Sequence, residues 1–135
     1  MFDTKIAIVL RDDLPTWQKL NVTAFLMSGV VGASPDLIGA PYVDAAGHAY
    51  HPLCVQPVIV LAADPPTLAA IHARALEREA THALYIEEMF STGHDDANRA
   101  VFAQHAPGDA KVVGLALRAG KKAVDKITKG ACMHP

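Results

Sequence analysis

The chain has 135 residues, of which 51% are hydrophobic, 19% charged and only 6% aromatic. That length supports one domain with a core large enough to need no staples. A formal net charge of -2 argues against a strongly basic nucleic-acid binder, because such affinity rests on neutralised phosphates, although a local basic face is still allowed.

The uninterrupted apolar run at residues 6–10 reads as a strand buried on both faces. It ends at Arg11, Asp12 and Asp13, where Asp13 is placed to cap a helix entered through Pro15. That helix carries Leu20, Ala24 and Val31 at helical spacing and should stop near residues 29–32. Residues 42–50 form a short hairpin, with Asp44 and Gly47 at the two ends of a type I turn.

A second apolar strand covers residues 56–63, and Asp64-Pro65-Pro66 opens a second helix with Leu68, Ile71, Ala75 and Leu76 inward. Residues 81–87 make a shorter third strand, 89–96 a polar loop and 96–104 a short helix. Residues 111–117 are the fourth strand, and a last helix at 121–129 stops at Gly130. Strands alternating with helices predict a single α/β domain over residues 1–135. The expected architecture is a three-layer α/β/α sandwich. Its central sheet is mixed, mostly parallel and about four strands wide, with the hairpin as an insertion.

Cys54 and Cys132 lie far apart and form no close-spaced pair, which argues against a zinc ribbon and fits a reducing interior. The first strand starts almost at once, so no signal peptide is expected and the predicted location is cytoplasmic. The longest apolar stretch, residues 22–33, is broken and too short to span a membrane. A modest surplus of small aliphatic residues makes a homodimer the expected assembly.

The end of the first strand and the start of the first helix resemble type II peptidyl-tRNA hydrolases, through Arg11, Asp13, Leu14 and the helix lysine Lys19. A closer resemblance, covering nearly the whole chain, is to an uncharacterised bacterial "domain of unknown function" group considered to share that fold. It is carried by Leu14-Pro-Thr-Trp-Gln-Lys-Leu-Asn-Val22, Tyr42-Val-Asp44, Met89-Phe-Ser-Thr-Gly93, Asn98-Arg99 and Val113-Gly-Leu-Ala-Leu117. The resemblance implies a peptidyl-tRNA hydrolase II-like fold and aligns Glu88 and Thr92 with an acid and a threonine of the hydrolase loop. Phe90 stands where the hydrolases have glycine, which alters the approach of a large substrate.

Lys19, Glu88 and Thr92 are therefore the candidate catalytic residues. A desolvated lysine stabilises developing negative charge, and a glutamate beside a hydroxyl can position or activate water. A salt bridge and a loop hydrogen bond are the structural alternative. Arg11, Asp13, Asn21 and His94 are the candidate substrate-binding residues. Asn21 either orients a ligand or bonds a neighbouring backbone group.

His94-Asp95-Asp96 is the one compact ligand-like cluster, and it reads as a solvated loop; no metal and no cofactor are expected. The basic run Arg118, Lys121, Lys122, Lys126 and Lys129 reads as an exposed helix face. Three functions compete. The first is a hydrolase of an ester or amide, acting on a small-molecule or RNA-linked substrate; the second is a non-catalytic homodimeric small-ligand module. The third is an RNA-binding derivative.

Overall fold

The computed structural model describes residues 2–135. Its strands are β1 (Thr4–Arg11), β2 (Tyr42–Val43), β3 (Ala49–Tyr50), β4 (Val58–Ala63), β5 (Ala83–Ile86), β6 (Val112–Gly120) and β7 (Cys132–Met133). Its α-helices are α1 (Thr16–Ala33), α2 (Pro65–Glu77), α3 (Asp95–Phe102) and α4 (Lys121–Ile127). Five strands form one sheet in the order β5-β6-β1-β4-β7. The apolar run of β1 lacks alternation because the strand is central, with Ile6 through Leu10 all buried.

The expectation of a mostly parallel sheet of about four strands is corrected. Only β1 and β4 pair in parallel; β1–β6, β5–β6 and β4–β7 are antiparallel. The reason lies in one insertion. β1, β4 and β5 do point the same way, as strand–helix alternation requires, but β6 runs the other way between β1 and β5 and turns both contacts antiparallel. The chain's last turn then adds β7 at the far edge.

Helix α1 covers one face of the sheet through Val22, Leu26 and Val30, which pack with Ile6, Ile8, Leu10, Tyr85 and Val113. The opposite face is covered from α2 and α4, where Leu68, Ile71, Val124 and Ile127 meet Ala7, Val9, Leu115 and Leu117. Tyr85 stands opposite Gly114 but Ile86 opposite Val112, so Val113 is an extra residue in β6. This bulge turns Val113 toward α1 and twists the edge of the sheet locally.

Asp64 caps α2 as expected, its Oδ1 accepting from the Thr67 amide at 2.8 Å. Asp13 does not cap α1. That helix starts after Pro15 with no side-chain cap, and Asp13 is bound instead by Arg11. The hairpin is real but brief, with two residues in each strand, and Gly47 takes the left-handed conformation at its turn (φ 91°). Part of the polar loop is a 3-10 turn, Glu87–Ser91. No described helix is long and apolar enough to cross a membrane.

Candidate functional site

Trp17, Asn21 and Phe25 recur every four residues along α1 and form a stripe beside its buried face. Across from them lie Tyr85 on edge strand β5, the 3-10 turn with Phe90, and the start of α3. Between these walls is a cavity of about 270 Å³ lined by Trp17, Asn21, Tyr85, Phe90, Thr92 and His94, among others. A larger cavity of about 540 Å³ shares Phe25, Tyr85, Met89, Asp95 and Asn98 with it and runs on to Gly29, Ala83 and Phe102. The two make one groove along α1. At 1.5 Å per helical residue, its wall from Trp17 to Gly29 is about 18 Å long.

The groove is built on aromatic rings. Tyr85 lies 5.9 Å from Phe25 and 5.2 Å from Phe90, and Trp17 meets Phe90 edge-on at 6.2 Å. These separations are those at which ring quadrupoles attract. Trp17 and Phe25 are nevertheless more than half exposed, which leaves apolar ring surface open to water. Burial holds the Tyr85 phenol above its ordinary pKa, so at neutral pH it is an uncharged donor.

Polar groups gather where the turn runs into α3. Thr92 Oγ1 donates to the Met89 carbonyl at 2.9 Å and touches the side-chain amide of Asn98. His94 caps α3, its Nδ1 accepting from the Ala97 amide at 3.2 Å. A ring whose Nδ1 accepts carries its proton on Nε2 when neutral. The imidazole is then a donor toward a ligand, and its basic nitrogen is already engaged. Asp95 is paired with Arg99 at 2.7 Å. The His94-Asp95-Asp96 cluster is thus a helix start, and no described group of three or more His, Cys, Asp or Glu could hold a metal ion.

Arg11 and Asp13 line an adjoining cavity of about 460 Å³ with Gln18, Glu87 and Ser91, and Phe90 is common to it and the groove. The Arg11 guanidinium bridges Asp13 (Nε to Oδ1, 2.6 Å) and Glu87 (Nη1 to Oε2, 3.2 Å). Burial works against its charge, but the hydrogen bonds to Asp13 and Glu87 outweigh that and raise its pKa.

The three candidate catalytic residues do not converge. Thr92 lines the groove with Asn21 and His94, whereas Lys19 and Glu88 are absent from its lining. Lys19 is two residues from both Trp17 and Asn21, hence about 200° around the helix from each. Glu88 turns away toward His105. Both its carboxylate oxygens are buried without a hydrogen-bond partner, and Oε2 lies 3.8 Å from His105 Nε2. His105 Nδ1 is 2.9 Å from the Val101 carbonyl.

Trp17, Phe25, Tyr85 and Phe90 were not foreseen as site residues. In an aromatic-poor chain, half of the eight aromatics falling at 17, 25, 85 and 90 was the available signal.

A family model described as "Protein of unknown function (DUF2000)" matches residues 4–135. Among solved structures, the chain is similar to the protein of unknown function Atu0240 from Agrobacterium tumefaciens strain C58. The two are 63% identical over all of both chains, with a TM-score of 0.99. No protein of curated function matches.

Proposed function

The chain belongs to the DUF2000 family, and from the groove we propose that it binds a small amphipathic molecule between α1 and the 85–103 segment. The observation that carries this reading is the open ring surface of Trp17 and Phe25, backed by half-buried Phe90 and buried Tyr85, beside uncommitted polar atoms of Asn21 and His94. Ligand pockets combine a mostly apolar lining with a few placed polar groups in this way. Rings would take the flat body of the ligand, and the His94 Nε2 proton and the Asn21 amide would bind a polar group at the Trp17 end of the groove.

Trp17 is the only tryptophan, so its emission reports occupancy directly. Titration with 4-phenylbutan-1-ol should change that emission saturably, and Phe90→Ala should weaken binding by about tenfold. An unsaturable response, equal in both proteins, would remove the groove as a binding site. The expected homodimer belongs to the same proposal; the exposed Tyr42, Val43, Tyr50 and Leu53 of the insertion support it, and sedimentation equilibrium decides it.

Hydrolysis of an ester or amide is the second reading. It is favoured by Glu88, whose buried carboxylate has no hydrogen-bond partner and faces His105. A carboxylate facing an imidazole is the kind of pair that general acid–base catalysis uses. Turnover of p-nitrophenyl acetate or of peptidyl-tRNA that is lost in Glu88→Gln supports it, and the absence of turnover with both substrates leaves the binding reading alone.

A further inference from the structure

Gly29 and Ala83 line the apolar groove and also a third cavity, of about 230 Å³, at the C-terminal end of α1. Ser34, Thr81, His82 and Arg118 form much of its remaining wall, and no Asp or Glu lines it. Arg118 reaches it because β6 residues 114, 116 and 118 alternate onto the α1 face of the sheet. Its Nε is buried there with no hydrogen-bond partner. Leaving a buried N–H unmatched is costly, so this edge of the partly buried guanidinium is poised for an acceptor from outside the chain.

No hydrogen bond to the carbonyl end of α1 satisfies it. The helix-end carbonyls of Val30 and Val31 already accept from the Ser34 amide, and Arg118 Nε donates to neither. We propose that this cavity is an anion subsite continuous with the groove, so that the ligand is an amphipathic carboxylate. Its apolar body lies on Tyr85 and Phe25 and its carboxylate meets Arg118. The proposal rests on the groove reading above. One guanidinium, with Ser34, Thr81 and His82 as the other polar side chains of the wall, suits a singly charged group, and its planar fork matches the two oxygens of a carboxylate.

The test compares 4-phenylbutyrate with 4-phenylbutan-1-ol by calorimetry on the full chain, for wild type, Arg118→Met and Arg118→Lys. The acid should bind wild type about 10- to 100-fold more tightly than the alcohol, the range of one charge-assisted hydrogen-bonded contact. Arg118→Met should bring the acid down to the affinity of the alcohol and leave the alcohol unchanged. Arg118→Lys, which keeps the charge but loses the fork, should fall between and guards against a methionine variant that fails to fold. If the alcohol binds but the acid binds no more tightly, or if the acid is indifferent to both substitutions, the Arg118 subsite is overturned and the groove stands. If neither compound binds, the groove reading fails and this proposal fails with it.

Discussion

Gly114 of β6 lies directly beneath Val22 of α1: a Cβ at position 114 would sit 2.6 Å from Val22 Cγ1 and 2.9 Å from Leu26 Cδ1. Both partners are buried, Val22 completely, so neither can swing into solvent. The glycine is what lets the helix settle on the sheet, and that depth places Trp17, Asn21 and Phe25 at the groove. Gly114→Ala should therefore destabilise the fold by about 1–3 kcal/mol, the usual cost of overpacking. Urea unfolding checks this. A variant as stable as wild type would mean that α1 rides higher than described.

Much of this arrangement was legible in advance. Three strands point the same way because each is followed or preceded by a helix returning across a face, and that much follows from alternation at residues 6–10, 56–63 and 81–87. What alternation cannot show is which strand sits between two others. β6 enters between β1 and β5 because its own run, Val112 through Leu117, is buried on both faces, a fact of long-range packing. The site divides along similar lines. Asn21, Thr92 and His94 meet across a separation of some seventy residues, but pairing Lys19 with Asn21 conflicted with helix geometry from the start. Glu88 lies in a 3-10 turn of which Thr92 is the C-cap, and in such a turn residues three apart share a face whereas residues four apart do not.

The double ion pair of Arg11 ties the end of β1 to the first residue of the 3-10 turn that carries Phe90. Its own side chain is 13% exposed, whereas Asp13 and Glu87 are 52% and 45% exposed, so solvent screens much of the attraction. Arg11→Met, which keeps the apolar stem, should cost about 1 kcal/mol or less. The loss should shrink as salt is raised. An equal loss at low and high salt would assign the residue's contribution to packing rather than charge.

Glu88 behaves differently because both its oxygens are buried and unmatched. A neutral isostere removes the desolvation of a charge that the structure does not fully repay. Glu88→Gln should leave stability unchanged or raise it by up to about 1 kcal/mol, read from the urea midpoint. Residues that a protein tolerates against its own stability tend to serve a site. A clear loss of stability would instead make the contact with His105 a structural ion pair.

The insertion supplies a pH-dependent prediction whose sign follows from two shifts. Asp44 Oδ2 accepts from the Tyr50 hydroxyl at 2.8 Å, and its Oδ1 accepts from the Ala46 and His48 amides. The Tyr50 hydrogen bond, followed by the His48 amide, lowers the Asp44 pKa, and the same bond raises that of Tyr50. A lowered carboxylate contributes order above its unfolded value, about 3.9, and loses it as pH falls through the folded value. A raised phenol contributes below about 10 and loses its share as pH climbs through the folded value. The clasp should thus hold across the neutral range and open at both extremes, without unfolding the sheet, since residues 40–51 are exposed throughout. Amide NMR shifts of Ala46 and His48 followed over pH check it. Asp44→Asn should abolish the acid transition, and Tyr50→Phe the alkaline one. Shifts that move together with those of buried Ile8 would show global unfolding and refute a local clasp.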